Sequence, residues 1–236
     1  MKITEKKFRN IFVNIFIVIM LMCLASLTTL GQVTTVFSSQ NYSAIYKGNT
    51  NNNNVSLMFN VYQGTEYIDG ILEELKKGDA KATFFVGGCW AVKNSEMLQK
   101  IYNAGHEIGN HGYWHKDHKI LSAEKNKSEM ELTHKVVKEL TDFDIKLFAP
   151  PSGSYGTTCL AVAKEIGYKT IMWSKDTIDW RDQDKNLIIK RATKNPSNGD
   201  LILMHPTKST LESLGEIISF YNKSGYKLTT VSQNIL

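Results

Sequence analysis

From residue 55 to the C-terminus the chain repeats one pattern: a short apolar run, then a stretch whose apolar residues recur every three or four positions. The first run, 55–59, is strand-like, and Ile68, Ile71, Leu72 and Leu75 after it share one helical face. "ATFFV" at 82–86 predicts a second strand, followed by a helix carrying Met97, Leu98, Ile101 and Tyr102. "HEIGN" predicts a third, and Ser122 caps a helix running to about Leu140. "KLFAP", "YKTIMW", "DLILMH" and "YKLTTV" complete seven strands. Helices follow "KLFAP" at about 157–166, precede "DLILMH" on Leu187, Ile188 and Ala192, and follow it on Leu211, Leu214, Ile217, Ile218 and Tyr221. Three helix exits, "NAGHEI", "KEIGYKT" and "NKSGYKL", place a glycine where the chain turns left-handed into the next strand. A helix after each strand acts as a crossover, so the strands pair in parallel and the fold is α/β, a closed or nearly closed barrel. In such barrels chemistry gathers where the strands end.

The front of the chain breaks this pattern. Residues 1–10 carry Lys2, Lys6, Lys7 and Arg9 against Glu5, and residues 11–30 are mostly apolar. That length spans a bilayer as a helix, and the basic flank predicts a cytoplasmic N-terminus with the remainder outside. No small-x-small cleavage site follows, so the segment reads as a membrane anchor; were it cleaved, the domain would be secreted. Residues 31–54 are rich in Ser, Thr and Asn and end in "NTNNNN", a polar linker leading to a domain at 55–236.

Composition then narrows the function. The net charge is +5, but without residues 1–10 the chain carries 24 basic and 22 acidic residues and no basic run. Nucleic acid is therefore not a partner. Of three cysteines, Cys23 lies in the apolar segment, and Cys89 and Cys159 match no zinc spacing and read as unpaired small residues.

Chemistry-bearing residues cluster after the strands. "NHGYWHKDH" places His111 and His115 four apart, which in a helix would put both on one face, a spacing suited to one metal. Asp117 and His118 follow them, while His106 and His134 read as structural. "APPSGSYG" is a rigid turn, "SKDTIDW" carries Asp176, Asp179 and Trp180, and "LILMH" delivers His205 from a buried strand. The first strand, by contrast, ends in Asn60-Val61-Tyr62-Gln63-Gly64, a turn with no ionisable group of useful pKa.

Together "ATFFVGG", "HEIGNHGYWH", "APPSG", "DTIDW" and "LILMH", in this order, resemble the polysaccharide deacetylase family, the NodB-like carbohydrate esterases of family 4. The resemblance runs from Val55 to Leu236. It implies a distorted (β/α)7 barrel and metal-dependent removal of acetyl groups from N-acetylhexosamine polymers, cell-wall peptidoglycan or a surface polysaccharide. It puts His111 and His115 on the metal, zinc or cobalt, and gives His205 the role of general acid with Asp176 as its partner. Ser152 falls where a backbone N–H binds the oxyanion; Trp180 and Leu203 shape the acetyl pocket, with Tyr62 at its mouth. The family's first strand ends in Thr-Phe-Asp-Asp, the first aspartate a base and the second a metal ligand; here Asn60 and Val61 stand there. Ala149 replaces the arginine that holds the base. The expected function is thus a deacetylase with a non-standard or missing base, Asp179 being the candidate substitute, and with Glu66, Asp117 or His118 as candidates for the third ligand. The alternative is a catalytically inactive glycan-binding relative. A glycoside hydrolase would need its paired carboxylates from Asp176 and Asp179 alone.

Overall fold

The computed structural model describes residues 13, 15–22 and 42–236. Two compact units divide the chain, 1–41 and 42–236. In the first, residues 15–22 are helical, and the remainder of the expected anchor and its basic flank lies outside the described residues. Among the described residues no helix is long and apolar enough to cross a membrane.

The second unit is built on eight short strands: β1 (Asn54–Val61), β2 (Ala82–Val86), β3 (Glu107–Asn110), β4 (Leu147–Phe148), β5 (Lys169–Thr170), β6 (Lys175–Asp176), β7 (Leu201–Met204) and β8 (Lys227–Leu228). They form one curled sheet in the order β5-β4-β3-β2-β1-β7-β6, with β8 pairing the start of β1. Every ladder is parallel, as crossover helices require. The main helices, Thr65–Lys77, Ser95–Asn103, Ala123–Thr141, Thr157–Glu165, Lys185–Thr193 and Lys208–Lys223, fall where the periodicity predicts them. Ser122 Oγ accepts from Lys125 N–H, the expected cap. Gly105, Gly167 and Gly225 all have positive φ, as the three helix exits demand.

Several differences matter for the site. β1 does not stop at Phe59: Asn60 pairs with Phe85 and Val61 with Val86, so the supposed turn is strand. The fifth strand is only two residues long, and β6, hidden in the polar "SKD", was not expected. Residues 42–53, expected to be linker, pack on the domain. Ile45 N–H donates to Thr170 O and Met172 N–H to Ile45 O, so Ile45 adds a bridge at the edge of β5. Gly48 N–H then bonds Gly199 O ahead of β7, and Asp200, buried, pairs with Lys175 at 3.3 Å.

Strand alternation divides the core in two. Val55, Leu57, Phe59 and Val61 face the helices, among Ile68, Ile71, Leu98 and Ile217. Met58, Phe85, Leu147, Ala149, Ile171, Leu201 and Leu203 fill the barrel interior. Asn60, two residues past Met58, lies on the interior side at the strand end.

His106 is structural, as expected. Its Nδ1 accepts the Ala82 N–H at 3.3 Å, and burial, with Lys81 nearby, pushes its pKa down to about 4. A base whose folded pKa is depressed stabilises the fold above the unfolded value, and that contribution is lost as pH falls towards the folded one. Stability is therefore expected to fall between about pH 6.5 and pH 4. His106→Asn, whose side-chain oxygen can take the Ala82 N–H, is expected to remove up to roughly 3 kcal/mol of that loss in urea titrations across this range. An unchanged acid limb would place the sensitivity elsewhere.

Candidate functional site

The ends of β1, β3 and β7 open on a cavity of about 500 Å³, lined among others by Asn60, Tyr62, Glu66, His111, His115, Trp180 and His205. His111 follows β3 and is buried, and its Nδ1–H donates to the Ala149 carbonyl at 2.7 Å. Nε2 is left as a lone pair. Burial foremost, then the proximity of His115, pushes the His111 pKa down to about 3, so the ring is neutral near neutral pH. Burial also lowers the pKa of His115.

The two rings meet, with centroids 5.2 Å apart, but not on a helix. Residues 111–118 form a loop in which Gly112 and His115 have φ of 70° and 55°. Two side chains brace its first half. Asn110 Oδ1 accepts from Gly112 N–H at 2.9 Å, and Glu129 Oε2 accepts from Tyr113 and Trp114 N–H at 2.8 and 2.7 Å. Glu129 is buried, and sequence reasoning missed it. Its signal was a polar residue on the inward face of Ala123–Thr141, beside Met130, Thr133 and Val137. Tyr62 closes the other side, its ring 4.9 Å from that of His115.

His205 has a carboxylate partner, but Asp179 fills that place rather than Asp176. His205 Nδ1–H donates to Asp179 Oδ1 at 2.8 Å, and His205 N–H to Oδ2 at 2.6 Å. Thr210 Oγ1–H donates to Oδ2 at 2.5 Å. The left-handed turn at Ile178 (φ 54°) starts the short helix Asp179–Asp182 and carries Asp179 under the histidine. Asp176 instead accepts from Ile178 N–H at 2.8 Å, forming that turn. Asp179, fully buried and holding three donors, is thereby also excluded as a substitute base.

The expected third metal ligand is not found: among the described residues no group of three His, Cys, Asp or Glu is placed to hold a metal ion. Glu66 lines the cavity without joining the histidines. Asp117 is held outside by Ser154 Oγ–H at 2.6 Å and Lys119 N–H at 3.0 Å, and the Ser154 bond lowers its pKa. His118 packs on Phe148, donates Nδ1–H to Asn126 Oδ1 at 2.7 Å, and does not line the cavity. Val61 faces the helix-side core. A catalytic zinc takes three protein ligands, so two imidazoles and no carboxylate do not fit the zinc or cobalt centre.

Of the other expected residues, Trp180 stands on the cavity rim, 58% exposed. Ser152, with φ of 55°, lies exposed in the 3-10 turn Pro151–Gly153 and is not among the lining residues; Leu203 is buried inside the barrel. Cys89 and Cys159 are free thiols. What remains among the described residues is an oriented His205–Asp179 pair and the paired imidazoles of His111 and His115, with no third ligand beside them.

A family model described as polysaccharide deacetylase matches residues 47–171. The Bacillus subtilis (strain 168) protein YlxY is 39% identical over 189 residues, 80% of this chain and 59% of that protein. The chain thus spans little more than half the length of YlxY. A peptidoglycan-N-acetylglucosamine deacetylase of Bacillus cereus is 31% identical over 189 residues, 76% of this chain and 86% of that one. The crystal structure of a CE4 family pseudoenzyme from Bacillus anthracis is similar with a TM-score of 0.80 at 36% identity, covering 82% of this chain and 69% of that chain.

Proposed function

The chain belongs to the polysaccharide deacetylase family, and from that premise we propose that it binds cell-wall peptidoglycan or a related hexosamine polymer in the cavity without hydrolysing it. One observation carries the proposal: Asn60, Val61 and Ala149 stand where the family resemblance implies a base, a metal ligand and an arginine. Loss of a general base costs about 10²–10⁴ in rate. Asp179, the expected substitute base, is engaged by His205 and Thr210, and Val61 is turned into the helix-side core. The loss is also self-consistent, because an arginine facing no carboxylate would be an unpaired, partly buried charge. Likeness to the Bacillus anthracis pseudoenzyme supports the same reading.

The test is acetate release. The full chain, incubated with acetylated glucosamine oligomers and peptidoglycan fragments with and without Zn²⁺ or Co²⁺, is expected to release no more acetate than its His205→Ala variant. It is expected to bind these glycans nonetheless. Trp180→Ala, which removes an exposed indole on which a sugar ring can stack, should weaken that binding by about three- to tenfold. Metal-dependent acetate that vanishes in the His205→Ala variant would restore the deacetylase. We place the domain outside the cell, tethered by residues 11–30. Deleting residues 1–30 should then free the protein from a membrane pellet.

A further inference from the structure

We propose that His134 and Tyr168 are positioning residues for the loop that carries His111 and His115, and that protonation of His134 releases that loop. Neither residue lines the cavity. A chain of hydrogen bonds joins them to it. His134, on the helix Ala123–Thr141 and partly exposed, holds Nε2 2.9 Å from Asp144 Oδ1. An ionised carboxylate only accepts, so Nε2 carries the proton and Nδ1 of the neutral ring is a lone pair. Tyr168 O–H donates to that lone pair at 2.8 Å. Tyr168 Oη in turn accepts from Asn110 Nδ2–H at 3.0 Å, and the second Nδ2–H of Asn110 goes to Met130 O at 2.8 Å. The amide is thereby fixed with Oδ1 towards Gly112 N–H, from which it accepts at 2.9 Å. Gly112 follows His111, and its φ of 70° sets the turn into the stretch that Glu129 holds.

This chain of bonds has no spare place for a proton. Asn110 is fully buried and Tyr168 nearly so, and burial raises the Tyr168 pKa, so the ring stays a phenol. A second proton on His134 turns Nδ1 into a donor facing the Tyr168 O–H. The next group along is the Asn110 amide, which can accept from Tyr168 only by rotating Oδ1 away from Gly112. Either that rotation or a broken His134–Tyr168 bond follows, and both loosen the hold on Gly112. The charged groups that face the chain of bonds are Asp144 and Glu131, with Lys146 2.6 Å from Asp144 and Lys138 near it. The carboxylates favour a cationic ring and the lysines oppose it. No bond of this chain reaches the His205–Asp179 pair, so acid would loosen the wall that His115 shares with Tyr62 and leave His205 in place.

Backbone amide exchange of the full chain, read residue by residue by NMR and corrected for its intrinsic pH dependence, tests this. Protection of the Gly112 amide, taken relative to the amides of the β1–β2 ladder, is expected to fall about threefold or more between about pH 8 and about pH 5. Tyr113 and Trp114 should keep theirs, because Glu129 holds them. Tyr168→Phe should lower Gly112 protection at both pH values and abolish its pH dependence. His134→Gln, whose side-chain oxygen can take the Tyr168 O–H but gains no charge, should match the native chain at about pH 8 and lose the acid response. Gly112 protection that ignores Tyr168→Phe would overturn the positioning role. An acid response that persists in His134→Gln would overturn its control by His134. Because His134 is partly exposed, its variant decides the acid response even if Tyr168→Phe failed to fold.

Discussion

Alanine in place of Asp179 is expected to lower the unfolding free energy by about 3–5 kcal/mol, whereas Asp176→Ala should change it by no more than about 1 kcal/mol. Asp179 is fully buried and satisfies His205 Nδ1–H, His205 N–H and Thr210 Oγ1–H. Truncation strands all three donors away from water, and each unsatisfied buried group costs about 1–3 kcal/mol. Asp176 is half-buried and accepts one backbone bond within its own turn, which solvent can replace. Urea denaturation of the two variants decides the matter. If Asp176→Ala were the more damaging, the pairing of Asp179 with His205 would be wrong. The two aspartates are three residues apart in one polar stretch. Nothing local distinguishes them, because the choice depends on the left-handed turn at Ile178.

Truncating Phe85 should cost a similar amount, about 3–5 kcal/mol, because the ring fills the barrel interior beneath the site. Its effect is coupled to one neighbour. A Cβ placed on Gly109 would lie 2.4 Å from Phe85 Cδ1, closer than side-chain carbons pack. Gly109→Ala alone is therefore expected to destabilise by about 1–3 kcal/mol through overpacking. Combined with Phe85→Ala, the added methyl enters space the ring has left. The double variant should then be more stable than the sum of the singles by about 1 kcal/mol or more. Strict additivity in denaturant titrations would show that the two do not share this space. The "FF" of "ATFFV" announces a buried strand, and alternation sends its rings to opposite faces. Phe84 stacks on Phe59 at 4.9 Å on the helix side, while Phe85 enters the barrel.

Much of the fold was legible for one physical reason: apolar periodicity records which faces are buried, and burial supplies most of the driving force. That is why the main helices, the parallel pairing and the three glycine exits appear as expected. The departures lie where burial leaves little periodic trace. β6 is two polar residues held by its ladder to β7. Residues 42–53 are polar and attach chiefly through backbone and side-chain hydrogen bonds. β1 continues through Asn60 because ladder bonds to β2 do not depend on side-chain polarity.

For the site, local sequence and family likeness determined which residues stand at the strand ends, and that Asn60, Val61 and Ala149 replace charged groups there. Tertiary structure decided what those residues touch. A loop braced by Asn110 and Glu129, rather than a helix, brings His111 to His115. Asp179 rather than Asp176 lies under His205. Val61 faces the helices and Asn60 the cavity. Each outcome depends on where two distant segments meet and which way a side chain points from its turn. Those are properties of packing that no short stretch of sequence contains.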